Sequence, residues 1–110
     1  MRYHPSFEET SESDMLQIEE YLRAQNVSPE VVLAPIVARI AKDLTEFPYM
    51  YPVCQYDERY RQMPVNSYLV LYVVDEEKHR VEIHHIWHGM RNIEKLLDEK
   101  GRGTNSQSEL

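Results

Sequence analysis

The sequence predicts an α+β fold: an N-terminal antiparallel helix hairpin packed on a small, mainly antiparallel sheet of three to four strands, followed by a short C-terminal helix. Three observations carry that expectation. Apolar residues recur at helical spacing in two stretches ahead of Pro48. Residues 67–74 are apolar and β-branched or aromatic at nearly every position, as in a strand covered on both faces. Residues 80–88 alternate, with Val81, Ile83, His85 and Trp87 set against Glu82, His84, Ile86 and His88.

Taken in order, residues 2–7 (RYHPSF) suit a short first strand, and Pro5 directs it to a sheet edge. Ser11 and Asp14 have the spacing of a capping box, and Met15, Ile18 and Leu22 form a stripe, so a helix is expected from about Glu12 to Gln25. Its polar side, Glu12, Asp14, Glu19 and Glu20, is acidic and reads as a solvated face or a docking face for a basic partner. Asn26-Val27-Ser28-Pro29 closes this helix and opens a second, with Ser28 at the N-cap and Pro29 in the first turn. The second stripe runs through Leu33, Ile36, Val37, Ile40, Leu44 and Phe47, and Pro48 ends it. Pro35 implies a kink or a separate first turn.

Residues 48–60 carry two prolines and four tyrosines and read as an irregular loop packed over the sheet edge, with base stacking as the other use of such tyrosines. Asn66-Ser67 is a tight turn that sets Val65 opposite Tyr68, Met63 opposite Val70 and Arg61 opposite Tyr72. An odd second loop then puts Leu69, Leu71, Val73, Val81, Ile83 and Trp87 on one face, which the helices cover. The other face shows Arg61, Tyr68, Tyr72, His84 and His88, with Arg91 nearby, and is the candidate site. Residues 90–100 are amphipathic and close the expected domain of residues 1–100; the polar tail 101–110 is expected to be disordered.

At 110 residues the chain is long enough for one modest core. No apolar run approaches the roughly 18 residues that span a bilayer, so no membrane association is expected. The single Cys54 precludes an internal disulfide or a cysteine zinc cage and favours a reducing cytoplasm; in the loop it reads as an ordinary cysteine rather than a catalytic thiol. A net charge of −7 argues against coating a phosphate backbone, and an anion site on the sheet would rest on arginine and histidine, since no lysine falls between Lys42 and Lys78. His84 and His88 stand about 13 Å apart along a strand, too far to share an ion. Neither a metal nor a cofactor is expected. His85 reads as a core histidine bonded to backbone, and Arg61 has a structural alternative in an ion pair with Glu82 or Asp57.

The run Tyr60-Arg61-x-x-Pro64-Val65-x-x-Tyr68-Leu69-Val70-x-Tyr72 and the closing His88-Gly89-x-Arg91, in this order and after FPYMYP, resemble the RelE/ParE superfamily of toxins from type II toxin–antitoxin pairs over about residues 10–98. The resemblance implies a cognate antitoxin and one of two targets. A RelE-like toxin would cleave messenger RNA on the ribosome, with Arg61 and Arg91 as cations, His84 or His88 as acid or base, and Glu58 as a remote candidate. A ParE-like toxin would bind DNA gyrase through a surface of Arg61, Tyr68, Tyr72, His88 and Arg91, with no chemistry of its own. The RelE-like branch is usually basic and brings lysines to its site, whereas this chain is acidic and ends its sheet in HGMRN, nearer the ParE branch. A non-toxic interaction domain is the third expectation.

Overall fold

The structure, a computed structural model, describes residues 2–89. In chain order it comprises β1 (His4–Phe7), α1 (Glu9–Ala24), α2 (Pro29–Arg39) continuing into a wider π-helical turn (Ile40–Leu44), β2 (Arg61–Val65), β3 (Tyr68–Asp75) and β4 (Arg80–His88). The strands form one sheet in the order β1-β4-β3-β2, parallel between β1 and β4 and antiparallel elsewhere. The expected helix hairpin on a mainly antiparallel sheet is borne out. The short C-terminal helix, Arg91 and the polar tail lie outside the described residues.

α1 begins at Glu9, earlier than the capping pattern implies. Ser11 Oγ donates to the Glu8 carbonyl (2.8 Å), while Asp14 is turned into the protein rather than back to the helix end. Glu9 and Glu12 in the first turn and Arg23 in the last suit the helix dipole. The helix stops where Asn26 takes a left-handed conformation (φ 61°), with Val27 N–H bonded to the Leu22 carbonyl (2.9 Å) and Asn26 N–H to that of Arg23 (3.0 Å). Ser28 stands at the start of α2 as expected, though its hydroxyl makes no capping bond.

α2 runs through Pro35 without stopping; the carbonyl left without a donor is that of exposed Val31, which water can serve. Its buried residues, Ile36, Ile40 and Leu44, are each four apart. In a regular α-helix that spacing drifts by about 40° per step. The wider turn at Ile40–Leu44 absorbs the drift and keeps all three on the sheet. Val37 and Phe47, expected in this stripe, are exposed.

The β2–β3 register is the expected one, Arg61 with Tyr72, Met63 with Val70 and Val65 with Tyr68, turned by Asn66 at φ 56°. The β3–β4 register corrects the odd-loop assignment. The loop between paired Asp75 and Arg80 holds four residues, and a β-bulge at His84 then inserts one residue into β4. Tyr72 therefore pairs with Ile83 on one side of the bulge, and Leu71 with His85 on the other. The bulge gathers Val81, Ile83 and Ile86 on the same face as Val70 and Tyr72, and this is the face that Ile36, Ile40 and Leu44 cover. The leucine face is the other one: Leu69, Leu71 and Trp87 pack with Cys54 and Tyr60 of the loop. Both sides of β3 are covered, as its composition requires.

Candidate functional site

The tyrosine-rich loop wraps the outer edge of β2, and Arg61 sits at the point of crossing. Before the crossing, Tyr51 packs on the helix-covered core and its hydroxyl donates to Asp43 Oδ2 (2.6 Å). At the crossing, Val53 bridges to Arg61, and Gln62 N–H donates to the Pro52 carbonyl (2.9 Å). Beyond it, Cys54 and Tyr60 are buried against the leucine face. Packing over the edge, rather than display for base stacking, is what Tyr51 and Tyr60 do.

Arg61 is half-buried. Its Nη1 donates to the Tyr51 carbonyl at 2.7 Å and, at a longer 3.5 Å, to that of Tyr49, and the guanidinium lies 4.9 Å from the centroid of the Tyr49 ring. The ion pairs weighed for it are not made: Asp57 binds Arg59 (2.6 Å), and Glu82 binds Arg80 (3.4 Å) and His84 (3.2 Å). Arg61 therefore makes no ion pair with a carboxylate among the described residues, with one nitrogen fixed by backbone carbonyls and the guanidinium seated on an aromatic ring.

The remaining candidates do not converge. Tyr72 is fully buried beneath the helices, where its hydroxyl donates to the Pro48 carbonyl (2.6 Å) and burial pushes its pKa well up. It braces the loop from below and presents nothing to a partner. Tyr68 and His88 are cross-strand partners on the helix-covered face, rings edge-to-face at 5.0 Å. They share that face with Arg61 but lie four strand positions from its partner Tyr72, about 13 Å of rise. His84, the bulge residue, is on the leucine face, bonded to Glu82 and 5.4 Å from the Tyr60 ring. Its expected place beside Arg61 and His88 is thus corrected: the four-residue loop sets Glu82 and His84 on the leucine face, and the bulge that follows returns His88, but not His84, to the face of Arg61. Glu58 is exposed on the loop.

Two polar clusters were not foreseen. β1 pairs only with the first half of β4, leaving the edge of the second half open. α1 closes it with two side chains one turn apart. Thr10 Oγ1 donates to the His84 carbonyl (2.6 Å), and Asp14 Oδ2 accepts from Ile86 N–H (3.1 Å) and from His85 Nδ1 (3.3 Å). His85 is accordingly a core histidine, as expected, but its partner is a carboxyl group, and its ring lies over Trp87 (4.5 Å). The second cluster ties three distant segments: the hydroxyls of Tyr3 (2.7 Å) and Tyr49 both donate to Glu76 Oε2. Those bonds hold the Glu76 carboxyl below its usual range and push Tyr49 up to about 12. The i, i+4 placement of Thr10 and Asp14 is the one sequence trace of the first cluster; the second, spanning residues 3, 49 and 76, leaves none.

Among known proteins, the family model for the ParE toxin of the type II toxin–antitoxin system parDE matches residues 6–93. No curated protein sequence matches the chain. Among solved structures, the fold is similar to a chain of the RelBE2 toxin–antitoxin complex from Mycobacterium tuberculosis (TM-score 0.61, 22% identity, covering 80% of this chain and 99% of that one). It is also similar to the isolated RelE toxin of E. coli (TM-score 0.56, 15% identity, covering 91% and 98%). The family match spans most of the chain and includes the sheet, the wrapped loop and Arg61, so this protein belongs to the ParE toxin family of type II toxin–antitoxin systems.

Proposed function

We propose that this toxin acts by binding DNA gyrase, without covalent chemistry of its own, and that a cognate antitoxin neutralises it. The observation that carries this reading is the dispersal of the residues an RNA-cleaving site would use. General acid–base chemistry needs its groups within hydrogen-bond reach of one reacting centre. Here the four-residue loop sends His84 to the opposite face from Arg61, and His88, returned to the Arg61 face by the bulge, stands about 13 Å of strand away. A binding surface makes no such demand. A half-buried, aromatically seated arginine without a carboxylate partner among the described residues suits an anchor in a protein interface, where arginine and tyrosine dominate binding energies. The neighbouring complex with an antitoxin supports a bound partner in the resting state.

A ribosome-dependent endoribonuclease is the second reading, favoured by the common face of Arg61, Tyr68 and His88 and by the likeness to RelE in fold. Induced expression with radiolabelled precursors separates the two. The gyrase reading expects thymidine incorporation to fall first; an immediate fall in amino-acid incorporation supports RNA cleavage. Unimpaired growth leaves an interaction domain without toxicity and contradicts both.

A further inference from the structure

Arg61 is seated by a loop that is held at three points, and the three do different things. The Tyr72 hydroxyl donates to the Pro48 carbonyl and the Tyr51 hydroxyl to Asp43 Oδ2, each at 2.6 Å. Those bonds fix the backbone on either side of Tyr49, whose carbonyl, with that of Tyr51, receives Arg61 Nη1. The Tyr49 side chain is another matter: the residue is 47% exposed, and its ring can turn about its own torsions while the backbone stays put. Its hydroxyl has one acceptor among the described residues, Glu76 Oε2, and that bond sets the ring against the guanidinium.

The acceptor is itself held. Glu76 stands in the β3–β4 turn, where Lys78 N–H bonds to Asp75 Oδ1 (3.2 Å), His79 N–H to the Glu76 carbonyl (3.3 Å) and His4 N–H to the His79 carbonyl (2.9 Å). The same Oε2 accepts from the Tyr3 hydroxyl (2.7 Å), and the Tyr3 ring stands edge-on to His79 (5.3 Å). Tyr3 is tied down in turn by its N–H, bonded to the Thr45 carbonyl (2.8 Å). A surface glutamate ordinarily keeps most of its rotamer freedom. Two hydroxyls on one oxygen give this one a single direction. An ionised acceptor also makes the stronger hydrogen bond, and a phenol donating to it carries more negative charge on the ring face that the guanidinium meets.

We propose that Glu76 is a positioning residue of the Arg61 site: through the Tyr49 hydroxyl it holds the ring that seats the guanidinium, with Tyr3 fixing the carboxylate. Glu76 touches no target in this role. The inference rests on the reading of Arg61 as the contact with the target, and it adds which side chains outside the wrapped loop aim that arginine.

Two readouts on the full chain test it, with thermal melts as a folding control: the Arg61 Nε–H resonance of the free protein, assigned with Arg61→Lys, and the concentration that half-inhibits gyrase supercoiling. Glu76→Ala is expected to move the Arg61 resonance towards that of an exposed arginine and to raise the half-inhibitory concentration about tenfold. The melt should change little, because Glu76 is exposed. Glu76→Gln, whose amide oxygen still accepts a hydroxyl, is expected to keep the parent's resonance and to stay within about threefold in inhibition. Tyr49→Phe should match Glu76→Ala, and Tyr49→Phe/Glu76→Ala should be no worse than either alone, since the same chain of contacts is broken once. Full inhibition by Glu76→Ala, or an unmoved resonance in it, overturns the inference. So do additive losses in the double variant, or equal losses in Glu76→Ala and Glu76→Gln, because the carboxylate would then act by its own charge and not through the ring. If the parent leaves supercoiling untouched, the gyrase reading falls, and the resonance of the free chain alone decides whether Glu76 positions Arg61.

Discussion

The two faces of the sheet are built on different plans. On one, Ile36, Ile40 and Leu44 meet Met63, Val65, Val70, Ile83 and Ile86, and the buried Tyr72 hydroxyl is bonded to backbone. On the other, a single loop lays Cys54 and Tyr60 over Leu69, Leu71 and Trp87, with His85 buried beside Trp87 and with Glu82 and His84, both half-buried, bonded to each other. The helix hairpin makes the first face the larger of the two cores. The second is a thin cover, and its purpose is legible in what it holds in place: the crossing at Val53 and Arg61, where the loop passes between faces. Arg61 therefore sits on the seam between the helix-covered half and the loop-covered one, with Tyr72 holding the loop from below and the Tyr49 ring against its guanidinium.

Paired truncations test that contrast most strongly. Ile83→Ala, under the helices, is expected to cost about 4 kcal/mol and Leu69→Ala, under the loop, about 2–3 kcal/mol, because a loop settles into a cavity more readily than two helices do. Equal costs in urea denaturation would abolish the distinction. Asp14→Ala is expected to cost about 2–4 kcal/mol, since it strips the acceptor from Ile86 N–H and His85 at once. Asp14→Asn, which keeps one carbonyl oxygen for Ile86, should recover part of that loss; if it does not, the ladder from α1 is misassigned. Tyr72→Phe is expected to cost about 1–2 kcal/mol and to speed hydrogen exchange in the wrapped loop, leaving α1 unaffected.

The smallest effect is a pH dependence at the Glu76 cluster. The Glu76 carboxyl, lowered by bonds from Tyr49 and Tyr3, contributes stability that is present above its unfolded pKa and is lost as pH falls through the lower folded value. Tyr49, raised chiefly by the same bond, contributes stability that is present below pH 10.0 and is lost as pH rises towards about 12. Tyr3→Phe/Tyr49→Phe should therefore flatten the acid limb of the stability profile and remove the Tyr49 contribution from the alkaline limb. Identical profiles for variant and parent would show that the cluster does not couple.

The element order, the β2–β3 register, the edge position of β1 and the helix junction at Asn26–Pro29 were all legible in the sequence, because each rests on local chemistry: turn residues, proline and hydrophobic period. The faces were not. Val81, Ile83 and Ile86 step by two and then by three, which is the imprint of a bulge, and a uniform period of two reads past it. Asp14 was misread as a helix cap because the sheet edge that engages it is 72 residues away in sequence. Arg61 was found through the resemblance and through its place opposite Tyr72, but the aromatic seat that aims it depends on how the loop crosses the edge, and no local signal encodes that crossing.

The central claim is that this toxin works by contact through Arg61 and not by histidine chemistry. Titrating purified chain into a gyrase supercoiling reaction tests it directly, with Arg61→Ala and His84→Ala/His88→Ala alongside the parent. The account predicts inhibition by the parent and by the histidine variant, and its loss, with the fold retained, in the arginine variant. Undisturbed supercoiling, together with messenger RNA cut on ribosomes by the parent and left whole by the histidine variant, would contradict it.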